Sequence, residues 1–193
     1  MKKVLATASF HSGQVQIWNV TGKPQVAYEF KEKGPILLAV SPAGDRIALT
    51  AGGAVKVIRI DLTGRTHEEL LHFYNVSGAA AFSPDGNTGA FAFFDDGVVE
   101  VRNVVTGETL ITLPGHKRGV TQLAFSRDGK RLASGAKDGS VQVYALDLAE
   151  LLQIARSRLA RELTADECYE YLHSRSCPAN EAVMREIMKG DGQ

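Results

Sequence analysis

Ala39-Val40-Ser41-Pro42-Ala43-Gly44-Asp45, Ala81-Phe82-Ser83-Pro84-Asp85-Gly86-Asn87 and Ala124-Phe125-Ser126-Arg127-Asp128-Gly129-Lys130 are three versions of one motif, stepping by 42 residues from Ser41 to Ser83 and by 43 from Ser83 to Ser126. A fixed period of this length signals stacked copies of one supersecondary unit. A second motif, glycine followed by alternating apolar residues, starts at Gly13, Gly53, Gly97 and Gly139, with steps of 40, 44 and 42. Within each repeat the pattern is strand chemistry: period-two alternation rich in Val, Ile and aromatics, bounded by Asp-Gly, Ser-Gly or Gly-Gly turns. Thr-Gly turns at 20–22, 62–64 and 105–107 lead into a further extended segment, which makes four strands per repeat. Helix periodicity is absent before about residue 146.

These residues resemble the WD-repeat β-propellers over roughly residues 3 to 146. The resemblance rests on the Ser-Pro-x-Gly turn, Leu132 to Gly135, the Asp-Gly hairpin, Trp18-Asn19 where Trp-Asp is usual, and Gly115-His116. It implies an all-β fold of radially arranged four-stranded antiparallel blades, innermost strand first. On that pattern the chain begins partway through a blade: Val4 to Ser9 is a second strand, Val15 to Val20 a third and Gln25 to Phe30 an outermost one. Two full blades follow from about Pro35 and about Gly78, and the last has Val120 to Phe125, Arg131 to Gly135 and Val141 to Leu146. Fourteen strands result, divided three, four, four and three, which do not close a normal ring. Open inner edges call for a cover. The expected partner is a protein: an upstream segment of a longer chain, a separate chain, or a second copy. Two copies supply 28 strands, enough for seven blades, but the missing strands do not dovetail, which favours the first two over a closed homodimer.

Residues 147–193 form a separate helical tail. Leu148, Leu151, Leu152, Ala155 and Leu159 fall at helical spacing, Thr164 to Glu167 is a capping box for a helix from Ala165 to about His173, and Asn180 caps a third through Lys189. Leu163 to Cys168, with Tyr171-Leu172-His173 and Cys177-Pro178, resembles a segment that follows WD-repeat arrays in large bacterial signalling proteins. The tail is expected to cap the unfinished last blade; the alternative is a docking helix for a partner.

The 22 Lys plus Arg balance 22 Asp plus Glu, so no global field draws the chain to nucleic acid or an anionic membrane. Arg156, Arg158 and Arg161 are too few to change that. No apolar run approaches the roughly 18 to 20 residues of a membrane span, and the start, Met1 to Ala8, has too short an apolar segment for a secretory signal. Two cysteines in the tail suit a reducing cytoplasm, where the Asn75-Val76-Ser77 sequon has no meaning.

His116, Ser134 and Asp138 have the composition of a hydrolase triad. The family resemblance implies a different role: with Tyr144 where Trp is typical, they form a structural hydrogen-bonded chain tying the loop before the inner strand to the hairpin between second and third strands. Other blades depart from that set, with Ser12 or Gly52 near the Asp position and Arg102 at the Trp position. Ser134 to Lys137 matches a Ser-x-x-Lys string that needs a helix start, and here lies on a strand. Cys168, His173 and Cys177 lack the paired spacing of a zinc site, Asp95-Asp96 is a turn, and no phosphate or cofactor fingerprint is present, so neither metal nor cofactor is expected. The function expected is a non-enzymatic protein-interaction or sensing module in a bacterial signalling or defence assembly. The alternatives are a self-assembling structural propeller and a hydrolase using the His116 set. If the chain follows the family, Phe10, His11, Phe93, Phe94, Lys117, Arg118 and Lys137 share one partner-facing loop surface. The competing reading of Phe93-Phe94 places one of the two in the core.

Overall fold

The computed structural model describes residues 4–51, 54–74, 76–93, 97–147, 149–151 and 154, with backbone alone at Leu37 and residues 76–78. The first sheet pairs β1 (Val4–Ala8), β2 (Gln14–Asn19) and β3 (Gln25–Lys31). The second joins β4 (Ile36–Val40), β5 (Arg46–Ala51), β6 (Ala54–Asp61) and β7 (Thr66–Tyr74), and the third β8 (Val76–Phe82), β9 (Thr88–Phe93), β10 (Val99–Asn103) and β11 (Thr109–Leu113). The fourth holds β12 (Val120–Phe125), β13 (Arg131–Ala136) and β14 (Val141–Ala145). Each strand pairs antiparallel with its sequence neighbour, so the described residues hold fourteen strands in the three, four, four, three division that the repeats predict. The sheets are propeller blades, numbered here one to four in chain order. β4 packs beside β1, β8 beside β4 and β12 beside β8, which sets the blades side by side in sequence order.

The repeated serine-glycine motif makes the hairpin between first and second strands. Gly44, Gly86 and Gly129 take φ of 72°, 73° and 73°, and their N–H groups donate to the carbonyls of Ser41, Ser83 and Ser126 at 2.9, 2.9 and 3.0 Å. That left-handed conformation is cheap only for glycine. Each serine hydroxyl then accepts the N–H that opens the next strand, from Arg46, Thr88 and Arg131 at 2.9, 3.1 and 2.9 Å. In blades three and four the hydroxyl donates to the aspartate two residues on, Asp85 and Asp128, at 2.5 and 2.6 Å. Ala43 stands there in blade two, and Ser41 turns to Asp45 at 2.9 Å instead.

Core apolar residues fill the seams between blades. Ala6, Val15, Ile17 and Phe30 of blade one meet Ile47, Leu49, Ile58 and Ile60 of blade two. Ala48, Val55 and Val57 on the opposite face of blade two meet Ala80, Phe82, Phe91 and Val104 of blade three. Ala90, Ala92, Val99 and Val101 of blade three then meet Val120 and Leu132 of blade four. Successive residues of one strand therefore serve two seams, Ile47 and Leu49 one and Ala48 the other, because side chains alternate across a strand. Polar links cross the seams too: Lys56 reaches Glu32 of blade one at 3.2 Å and Glu69 at 3.1 Å, and Arg46 donates to the Gly86 carbonyl at 2.9 Å. Burial opposes the charges on Lys56 and Glu69, but their mutual bonds outweigh it, raising the lysine pKa and lowering that of the glutamate.

The chain divides into two units, Met1–Asp147 and Leu148–Gln193. Residues 149–151 and 154 are helical. The helices expected from Ala165 and Asn180, with Cys168, His173 and Cys177, lie outside the described residues, as do Gly52, Asn75, Phe94 and Asp95-Asp96. Among the described residues no helix is long and apolar enough to cross a membrane.

Candidate functional site

His116 sits in the loop 114–119 that leads into β12, and Ser134 lies on β13 beneath it. The His116 Nε2 is 2.6 Å from Ser134 Oγ, and Nδ1 is 2.8 Å from the hydroxyl of Ser140, the residue after Gly139 in the β13–β14 hairpin. Ser140 spends its own proton on Asp138 Oδ1 at 2.5 Å, so it accepts from Nδ1–H, and Ser134 donates to Nε2. A neutral imidazole protonated on Nδ1 satisfies every group. Asp138 also accepts the Ser140 N–H at 2.9 Å and, through Oδ2, the Lys117 N–H at 3.3 Å. These bonds, led by the Ser140 hydroxyl, hold the Asp138 carboxyl below its ordinary range.

The expected set is thus brought together with one change of order: Ser140, which the sequence reading passed over, stands between His116 and Asp138. Tyr144 belongs to a second branch. Its hydroxyl lies 2.8 Å from Gln142 Oε1 and 3.4 Å from the Pro114 carbonyl, and Gln142 donates to the Gly115 carbonyl at 2.6 Å. Both branches pin the entry loop of the inner strand to the hairpin. Gly97, at φ 60°, holds the neighbouring blade against the same loop, since a Cβ there would run into the His116 carbonyl.

The Ser134–His116 pair is spaced for proton transfer, but Ser134 is 2% and His116 5% exposed, so the hydroxyl faces packed protein rather than an open cleft. Nucleophilic catalysis needs room for a carbonyl and donors for its oxyanion. Neighbouring blades fill the serine position differently. Leu49 and Phe91, both fully buried, occupy it in blades two and three, and in blade one Thr7 accepts the Trp18 indole N–H at 3.1 Å. Arg102, at the Trp position of blade three, has its guanidinium 5.3 Å from the Phe73 ring and 5.7 Å from that of Phe93. Phe93 is therefore half-buried between blades two and three, in line with the competing reading of Phe93-Phe94 that places one of the two in the core. The Arg102 charge and the Phe73 ring draw it inward.

Lys117, Arg118 and Lys137 are exposed on the two loops that the relay joins, and the Lys137 N–H donates to the Gly119 carbonyl at 3.1 Å. Phe10 is 60% exposed in the β1–β2 hairpin, edge-on to His11 with ring centroids 5.7 Å apart. The topology puts that hairpin and the β13–β14 hairpin at equivalent ends of their blades. Among the described residues no group of three or more His, Cys, Asp or Glu could hold a metal ion.

A family model, the WD domain, G-beta repeat, matches residues 107–145, from the last turn of blade three to the end of β14. Transcription factor unc-37 of Caenorhabditis elegans is 28% identical over 183 residues, covering 89% of this chain and 28% of that protein. Periodic tryptophan protein 2 of Arabidopsis thaliana is 37% identical over 76 residues, 38% of this chain and 8% of that protein. An uncharacterized WD repeat-containing protein of a Synechocystis strain is 31% identical over 99 residues, 51% of this chain and 28% of that protein. The chain spans 28% or less of the length of each of these relatives. Repeat period and blade sheets agree with the family model: residues 107–145 match a WD repeat, and the chain is similar to a WD-repeat protein over 51% of its length.

Proposed function

We propose that this chain is a non-enzymatic protein-interaction scaffold, the C-terminal portion of a bacterial WD-repeat signalling or defence assembly working in the cytoplasm. The observation that carries the reading is the burial of the Ser134–His116 pair beneath the exposed Lys117, Arg118 and Lys137. Groups able to do chemistry are used to hold two loops rigid, and the loops present side chains that suit a protein surface. The Synechocystis relative and the tail motif support the bacterial setting.

A fluorophosphonate probe applied to the folded chain tests the absence of catalysis: no label at Ser134 is expected, and stoichiometric labelling overturns the reading. The loops are tested with a photo-crosslinking residue at Lys117 or Lys137 in the native host. One defined polypeptide should be trapped there and none from Arg59, at the other end of its blade; equal capture from all three removes the loop assignment.

A further inference from the structure

At the relay positions of Ser134 and Ser140 blade two has Leu49 and Ala54, yet its entry loop is tied down. That loop, residues 32–35, leads from β3 into the inner strand β4, as 114–119 leads from β11 into β12. The same interval separates Gly13 from Gly97 and Glu32 from His116. The geometry agrees: a Cβ on Gly13 would run into the Glu32 carbonyl, as one on Gly97 would run into that of His116. Glu32 therefore stands at the position of the relay histidine. Lys56 stands at that of Gln142, since it pairs across the sheet with Leu49 as Gln142 pairs with Ser134.

Blade two thus carries a charged counterpart of the neutral relay. Lys56 Nζ donates to both Glu32 carboxylate oxygens at 3.2 Å and lies 3.1 Å from Glu69 on β7. The Glu32 N–H donates to the Gly13 carbonyl at 2.8 Å, so the loop is gripped by backbone from blade one and by a side chain from blade two. The Lys56 and Glu32 side chains are only 20% and 16% exposed, which limits screening of the pair by salt. Exposed Lys33 follows Glu32 as exposed Lys117 follows His116, on loops at equivalent ends of their blades. We infer that Glu32 and Lys56 hold the 32–35 loop so that Lys33 joins Lys117 on the partner-facing surface. Lys33 is then a partner-contacting residue, and Glu32 and Lys56 are positioning residues. The inference deepens the scaffold reading and rests on it for the partner; the hold on the loop does not depend on it.

The test has two arms, both on the full chain. Amide exchange followed by nuclear magnetic resonance reads the loop without a partner. Lys56→Met should speed exchange of the Glu32 amide about tenfold, Lys56→Arg should restore it, and the amides of 117–120 should not change. Glu32→Gln, which leaves no buried charge on the loop, should release the same amide by a smaller factor. Unchanged exchange at Glu32 in both Lys56→Met and Glu32→Gln overturns the positioning role. Equal acceleration throughout β5 and β6 overturns it too, since the pair would then hold the blade and not the loop. In the second arm a photo-crosslinking residue at position 33, in the native host, should trap the same polypeptide as one at 117. Its yield should fall several-fold with Lys56→Met and recover with Lys56→Arg. Capture at 117 but not at 33 overturns the assignment of Lys33 and leaves the scaffold reading standing. Capture at neither removes both, whatever the exchange rates show.

Discussion

Blades three and four share one strand grammar but are held by different forces. Blade three is covered on both faces: Phe91 is fully buried in one seam, and Ala90, Ala92, Val99 and Val101 fill the other. Among the described residues, blade four has one covered face. At the position of Phe91 it carries Ser134, and its hairpin is fixed by the Ser134–His116–Ser140–Asp138 relay. A blade with two neighbours can rely on apolar burial, which scales with the area taken from water. One with a single neighbour has less area to bury, and a fully satisfied polar network supplies rigidity instead.

The comparison breaks most readily at Phe91. Truncating Phe91→Ala opens a cavity between blades two and three, expected to cost about 3–5 kcal/mol in urea denaturation. Ser134→Ala should cost about 1–3 kcal/mol, from a His116 Nε2 left buried without its donor. A cost as large as that of Phe91→Ala would mean that blade four depends on packing at this position.

Threonine substitutions compare the two faces directly. Val101→Thr puts a hydroxyl into a closed seam and should cost about 1–3 kcal/mol; Val143→Thr, on the open face, should stay within about 0.5 kcal/mol in dilute solution. Equal costs would erase the distinction.

The smallest effect is the pH dependence. Asp85, Asp128 and Asp138 all have lowered carboxyl pKa values, chiefly through bonds from Ser83, Ser126 and Ser140. For a depressed pKa the unfolded chain binds the proton first, so the stabilisation is present above the unfolded value of about 3.9 and is lost as pH falls through the folded value. The denaturation midpoint should therefore drop on acidification below about pH 4. Asp138→Asn should flatten part of that drop, and an unchanged slope would remove Asp138 from the relay's charge.

The blades were legible because their turns are built from residues with few alternatives. Ser41, Ser83 and Ser126 cap a hairpin whose glycine must take positive φ, and the repeat pattern locates the six strands of blades one and four, and the starts of blades two and three, to within a residue or two. His116, Ser134 and Asp138 were legible through the family resemblance. Ser140 was not: its equivalents are Gln14, Ala54 and Val98, so the position reads as the start of a strand and nothing marks a hydrogen-bond link. Gln142 was missed for the same reason, standing where Gln16, Lys56 and Glu100 face other partners. Phe93 stayed open between two readings because alternation assigns it a face but does not reveal that Arg102 and Phe73 close over it. The exposure of Val141 and Val143 is likewise invisible in a pattern that repeats unchanged from blades that have a neighbour.

Hydrogen exchange of the backbone amides, compared between blades three and four in dilute solution, tests most directly the claim that the number of covered faces decides how a blade is held. Amides of β13 and β14 should exchange faster than those of β9 and β10, since local opening costs least where fewest apolar contacts must break. Equal or greater protection in blade four would contradict the account, because its open face would then carry no penalty.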